Sequence, residues 1–195
     1  MKKYLTLLFF LFSLSLAAVK ADAATMEGLQ FEDQAKLAGR ELKLNGLGIR
    51  SIFIFKAYVA GLYLSEKAST SQEALQQSGP IRLQLRMLME IGAPDIKKAL
   101  VDGMRKNVSE TEWQAMQDRV AQFSRTIESV GTARVGDTIT LDFIPERGMT
   151  LAVNEVGKGS PIRGQDFYNA MLAIFVGDDP VDTRLKRGLL GLLKQ

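Results

Sequence analysis

Neither cysteine nor histidine occurs in the 195 residues of this chain. Without cysteine there are no disulfides, no thiol nucleophile and no thiolate metal site, although export remains compatible. Without histidine the commonest metal ligand and the commonest general base are missing. A Ser-His triad, a zinc hydrolase site and a His-held haem are excluded, and no metal or cofactor is expected. Charge of one sign is also scarce. The formal net charge of +3 falls to +1 once residues 1–23, which hold Lys2, Lys3, Lys20 and Asp22, are set aside. Such a balance gives no electrostatic case for nucleic acid.

Only one long apolar run is present, Tyr4 to Ala18. It follows the basic start Met1-Lys2-Lys3 and precedes Ala21-Asp22-Ala23, whose small residues suit a signal peptidase. The run is short for a bilayer-spanning helix. Residues 1–23 therefore read as a secretory signal, cleaved after Ala23 or one residue later, with an uncleaved anchor as the alternative. The expected location is periplasmic or secreted, and no membrane span remains after signal removal. Residues 24–195 are long enough for a single well-cored domain.

Within that domain the order is strands, helices, strands, helices. Gln30-Phe31 and Arg40–Leu44 read as short strands, with a turn at Asn45-Gly46. Ser51–Leu64 is strand-forming throughout. Ser71–Ser78 reads as a short helix ended by Gly79-Pro80. Ile81, Leu83, Leu85, Met87 and Met89 alternate as one buried strand face. Pro94 suits a helix start, and Ile96, Ala99, Leu100, Gly103 and Met104 form one stripe. Ser109 and Glu112 make a capping box for one long helix with a seam of Trp113, Met116, Val120, Phe123, Ile127 and Val130. Thr138–Phe143 and Met149–Val156 predict a hairpin around Pro145–Gly148. Another helix is marked by Phe167, Met171, Ile174 and Phe175. The last starts at the N-cap Asp182 and carries Leu185, Leu189 and Leu192. Long antiparallel strands with helices that cannot serve as crossovers imply an α+β fold, one sheet with helices on a face.

The segment Leu44–Leu64, LNGLGIRSIFIFKAYVAGLYL, holds one guanidinium, Arg50, in an otherwise almost wholly apolar run. An unpaired Arg in a core is very costly. Either its head reaches water at a strand end or something anionic waits inside. Gly46-Leu47-Gly48 is not a phosphate loop, because no Lys-Ser/Thr follows and no helix opens there. Asp178, Asp179 and Asp182 read as a turn plus a cap, Asp137 and Asp142 as solvated, and Trp113 as core.

Three blocks carry a family resemblance: LNGLGIR with KAYVAGLYL; IRLQLRMLMEIGAPDIKKALVDGM; and TITLDFIPERGMTLAVNEVGKG with IRGQDFYNAMLAIFVGDDPVDTRLKRGLLG. On these the chain resembles bacterial members of the chalcone isomerase-like family. The resemblance implies that family's open-faced β-sandwich, a large antiparallel sheet covered by helices with a ligand cleft between. Arg50 matches the arginine that holds the phenolate in true isomerases, and a guanidinium fork suits an oxyanion or carboxylate. The isomerase threonine falls on Tyr58. Fatty-acid-binding members have Arg and Tyr at those two places. The isomerase tyrosine, asparagine and late threonine fall on Ile96, Gly103 and Ile174, and a family lysine falls near Arg86.

Arg50 is thus retained while the groups that orient a chalcone are replaced, which removes much of the positioning contribution. The resemblance implies a non-catalytic protein binding a small amphipathic acid, for example a fatty acid. Its ligand-binding residues would be Arg50 and Tyr58, with Ile96, Leu100, Met104, Ile174 and Phe175 as walls. The alternatives are an intramolecular lyase or isomerase with Arg50 as oxyanion stabiliser, and an envelope scaffold or partner protein using the exposed face of the Ser109–Val130 helix. One geometric obstacle stands out. On a continuous strand Arg50 and Tyr58 would lie about 26 Å apart, and no Gly, Pro, Asn or Asp falls between them to make a turn.

Overall fold

A computed structural model describes residues 23–193. The segment read from sequence as a secretory signal lies outside the described residues except for Ala23, which begins the first strand. In chain order the elements are β1 (Ala23–Met26), β2 (Leu29–Glu32), β3 (Gln34–Leu37), β4 (Arg40–Ile52), β5 (Phe55–Leu64), α1 (Ser71–Leu75), β6 (Ile81–Met87) and β7 (Ile91–Gly92). There follow α2 (Ala93–Lys106), α3 (Glu110–Ala115), α4 (Gln117–Val130), β8 (Thr132–Ala133), β9 (Thr138–Ile144), β10 (Gly148–Val153), β11 (Val156–Ile162), α5 (Gln165–Val176) and α6 (Thr183–Leu189). A seven-stranded antiparallel sheet, in the order β11-β10-β9-β6-β5-β4-β3, is the frame. This is the α+β arrangement expected.

One face of the sheet carries the main core. Ala60, Leu62 and Leu64 of β5, Ile81, Leu83 and Leu85 of β6 and Leu141 and Phe143 of β9 meet the helices there. The period-two alternation of β6 is fully expressed, its odd positions buried and its even ones half-buried. α5 is apolar nearly all round, and from Phe167 to Val176 only Asn169 is not buried, so it lies inside the helix layer. On the opposite face the β1–β2 hairpin brings Phe31 against Leu42, Leu44, Leu47, Ile49, Val59 and Tyr63.

β4 departs from the sequence expectation in two ways. No turn forms at Asn45-Gly46; the strand continues with Asn45 as a bulge between the pairs Leu44–Tyr63 and Gly46–Leu62. The buried Asn45 amide is satisfied by Ala68 and Leu189 carbonyls at 2.9 and 2.7 Å and by the Ala68 amide at 2.8 Å. An extra residue reverses strand parity, which is why Leu42 and Leu44 share a face with Leu47 and Ile49. Gly46, Gly48 and Arg50 consequently point at the helix layer.

The second departure is a two-residue turn at Phe53-Ile54, with Ile52 paired to Phe55. Ser51–Leu64 is therefore not one strand. Phe53 takes φ +54°, a region that normally favours Gly, Asn or Asp, at a cost on the order of 1–3 kcal/mol. Hairpin pairing on both sides enforces the turn that the local residues do not encode.

Other corrections are smaller. The Ser109 capping box is present, but the helix it opens ends at Met116 (φ −110°, ψ 5°) and α4 restarts behind it. Strand Met149–Val156 stops at Val153; Asn154 and Glu155 turn with positive φ, and β11 follows as a polar edge strand. α6 ends at Leu189, so Leu192 is about half exposed instead of on the buried stripe. Asp142 is not solvated but holds Arg82 in a two-pronged pair, both contacts 2.7 Å.

Candidate functional site

The turn at Phe53-Ile54 makes Arg50 and Tyr58 direct cross-strand partners. Opposed residues of an antiparallel pair share a face, so both side chains face the helices. The obstacle posed by a continuous strand disappears.

Both side chains line a cavity of about 170 Å³ between the sheet and the helix layer. Its floor is Leu85, Met87, Ile139, Leu141 and Leu151; its roof is Ile96, Ala99 and Leu100 of α2, Ile127 and Val130 of α4 and Phe175 of α5. Every lining residue other than Arg50, Tyr58 and Asp95 is apolar. Of the seven residues nominated from sequence, Arg50, Tyr58, Ile96, Leu100 and Phe175 come together here. Met104 and Ile174 do not. Both are buried in the core outside the lining, and Ile174 instead fills the space beside Gly103, where an added Cβ would lie 2.9 Å from its Cγ2. Arg86 is on the opposite face, donating to the Gln30 carbonyl with its guanidinium over the Phe31 ring.

The anion that meets Arg50 is one of the chain's own. Arg50 Nη1 donates to the Ser51 carbonyl at 2.6 Å and to Asp182 Oδ2 at 3.2 Å. Asp182 Oδ1 accepts the amides of Arg184 and Leu185 at 2.8 and 2.9 Å, capping α6. One carboxylate thus anchors both the arginine and the helix, which no local sequence pattern reveals. Among the described residues Arg50 Nε and Nη2 have no hydrogen-bond partner. That edge of the fork can pair bidentately with a carboxylate, as the Nε–Nη2 edge of Arg82 does with Asp142.

α6 can approach β4 this closely because glycines face each other. A Cβ on Gly48 would lie 2.5 Å from the Leu185 carbonyl oxygen, and one on Gly188 would lie 2.7 Å from Gly48 Cα. The Gly46-Leu47-Gly48 pair is a helix-docking surface for RLKRGLL, and the docking sets the distance between Arg50 and Asp182.

Tyr58 is half-buried, and among the described residues its hydroxyl makes no hydrogen bond. Desolvation pushes the phenol well above its ordinary range; Arg50 opposes this shift and Asp182 adds to it. Tyr58 therefore stays protonated across physiological pH, a neutral donor beside Arg50. No cluster of metal-ligating side chains occurs among the described residues. The lining residues Leu85, Met87, Ile139 and Leu151, not nominated from sequence, sit at inward positions of their strands. The alternation of β6 was the available signal for the first two.

The chalcone isomerase-like family model matches residues 23–191. The chain belongs to the chalcone isomerase-like family. No curated protein sequence matches it. Among solved structures it is similar to a fatty-acid binding protein of Arabidopsis thaliana, AtFAP1. The TM-score is 0.68 at 13% identity, covering 87% of this chain and 96% of the other. At that identity the likeness establishes the shared fold. No described helix of this chalcone isomerase-like protein is long and apolar enough to cross a membrane.

Proposed function

We propose that this protein is an exported, non-catalytic carrier or sensor of an amphipathic acid, a fatty acid or close analogue. The acid's carboxylate pairs with Arg50 and its tail lies in the apolar cavity. The observation that carries this reading is the unpartnered Nε–Nη2 edge of Arg50 at the polar end of an otherwise apolar cavity. Tyr58, protonated and without a partner, supplies a second donor to the same carboxylate. The fatty-acid binding of the similarly folded Arabidopsis protein adds support at the level of fold.

Cavity size narrows the ligand. An apolar cavity of roughly 150 Å³ holds benzene, so about 170 Å³ takes a single ring or a short alkyl chain without rearrangement. A longer tail must displace the half-buried side chains of α2 or extend through the mouth. A two-ring chalcone meets the same limit.

Catalysis is less well supported. Ile96, Gly103 and Ile174 offer no polar group to orient an enone, and Arg50 already shares its charge with Asp182. A guanidinium compensated by a fixed carboxylate stabilises a developing oxyanion less than a free one.

Calorimetric titration of the delipidated protein with saturated acids of increasing chain length tests the proposal. Saturable uptake at one site is expected, weakened about tenfold or more in Arg50→Ala for loss of a charge-assisted hydrogen bond. Absence of saturable uptake of any acid overturns it.

A further inference from the structure

Most of the exposed large apolar side chains of the described residues gather at one end of the sheet. Ile52, Phe53, Ile54 and Phe55 form the β4–β5 tip, with Phe53 96% and Ile54 87% exposed. Val135 and Val156 are also exposed, and the strand registers place them at the same end. Tyr58 pairs with Met87, Arg86 with Thr138 and Ile139 with Val153. The tip, the segment entering β9 and the β10–β11 turn therefore all project beyond one edge. Only Leu192, after α6, lies elsewhere. Large apolar side chains exposed together at one end of a sheet suit a contact with a membrane or a partner.

The cavity reaches the same end. Ile52 both begins the exposed tip and lines the cavity, next to Arg50, Tyr58 and Met87. Neighbouring charges are mixed: Lys56 pairs with Glu27, and Asp137 accepts from the amide of Arg134. No single-sign field is available to select a charged partner. The tip is a single two-residue turn whose side chains stand almost fully exposed, small against the roughly 800 Å² per partner that a stable protein interface buries. A lipid headgroup layer needs no matching concavity and accepts apolar side chains to shallow depth.

We propose that this end of the sheet docks on a lipid bilayer, with Phe53, Ile54 and Phe55 inserted among the headgroups and the cavity mouth facing the membrane. Docking rests on the tip alone. Its purpose, passage of an acyl tail between bilayer and cavity, rests on the function proposed above.

The test places an indole at the tip. Phe53→Trp in a Trp113→Phe background is mixed with phosphatidylcholine vesicles whose acyl chains carry bromine. Quenching by the brominated chains and protection from aqueous iodide are expected. Vesicle partitioning of Phe53→Ser/Phe55→Ser should fall about tenfold or more, while acid uptake without vesicles is unchanged. An indole that stays open to iodide and unquenched by lipid overturns the proposal. So does partitioning that depends strongly on added phosphatidylglycerol yet ignores the double substitution. Self-association abolished by that substitution, without vesicle binding, would make the tip an interface between copies and overturn it too. Vesicle docking in a protein that takes up no acid would sustain docking and refute the ligand reading instead.

Discussion

Asp182 links the cavity-lining arginine to a helix start: Oδ2 lies 3.2 Å from Arg50 Nη1, while Oδ1 caps α6. Asn caps a helix as well as Asp does, so Asp182→Asn removes the charge and keeps the cap. Arg50 is then a partly buried cation without its counter-charge. The ligand-free protein should lose roughly 1 kcal/mol of stability, and an acid ligand, no longer repelled by Asp182, should bind more tightly. Thermal melts with and without decanoic acid check both: a lower Tm alone and a larger upward shift with ligand.

The glycine contact between β4 and α6 sets that geometry. Gly48→Ala would press a methyl group onto the Leu185 backbone, which has little freedom to retreat. A destabilisation of about 1–3 kcal/mol is expected from overpacking, together with tighter acid binding as α6 carries the competing Asp182 carboxylate away from Arg50. Gly136→Ala, where no atom lies within 4 Å of the added Cβ but φ is +88°, tests backbone strain alone and should leave acid binding unchanged.

Leu100 roofs the cavity without being fully buried. Leu100→Trp should fill the cavity, leave Tm within a few degrees of the wild type and abolish uptake of an alkyl acid. Retained uptake would place the ligand elsewhere. Denaturant melts alongside calorimetry separate the two outcomes.

Arg119 holds Asp166 through two contacts of 2.7 Å, and those hydrogen bonds keep the Asp166 carboxyl below its ordinary range. A depressed folded value means that the stabilisation is present above the unfolded carboxyl's pKa, about 3.9. It is lost as pH falls through the lower folded value. Asp166→Asn should therefore melt earlier than the wild type near neutral pH, and the gap should close as pH falls through the lowered folded value. A gap that persists in acid would assign the effect to packing.

Much of the fold was legible because its signals are local. The alternation of β6, the Ser109 capping box, the apolar positions Phe167, Met171, Ile174 and Phe175 of α5 and the Asp182 cap all appear in the structure. What was not legible is imposed from a distance. Phe53-Ile54 turns without a turn residue because pairing on either side requires it. Asn45-Gly46 looks like a turn but bulges, because Ala68 and Leu189, far along the chain, satisfy its amide. β11, VGKGSPI, is an edge strand with little to bury, so periodicity has nothing to report.

The site divides in the same way. The family resemblance singled out Arg50 and Tyr58, but only the hairpin brings them face to face. Met104 and Ile174 were nominated by position relative to the family's cleft. Helix rotation decides such cases, and here Gly103 lets Ile174 close against α2 instead of opening toward the cavity.

The most direct measurement is native mass spectrometry with lipid extraction on the protein purified after expression of the full chain, wild type beside Arg50→Ala. The account predicts a co-purifying acid in the wild type, reduced or absent in Arg50→Ala. An empty wild type that also fails to take up added acids, or an acid retained equally by both proteins, would contradict it.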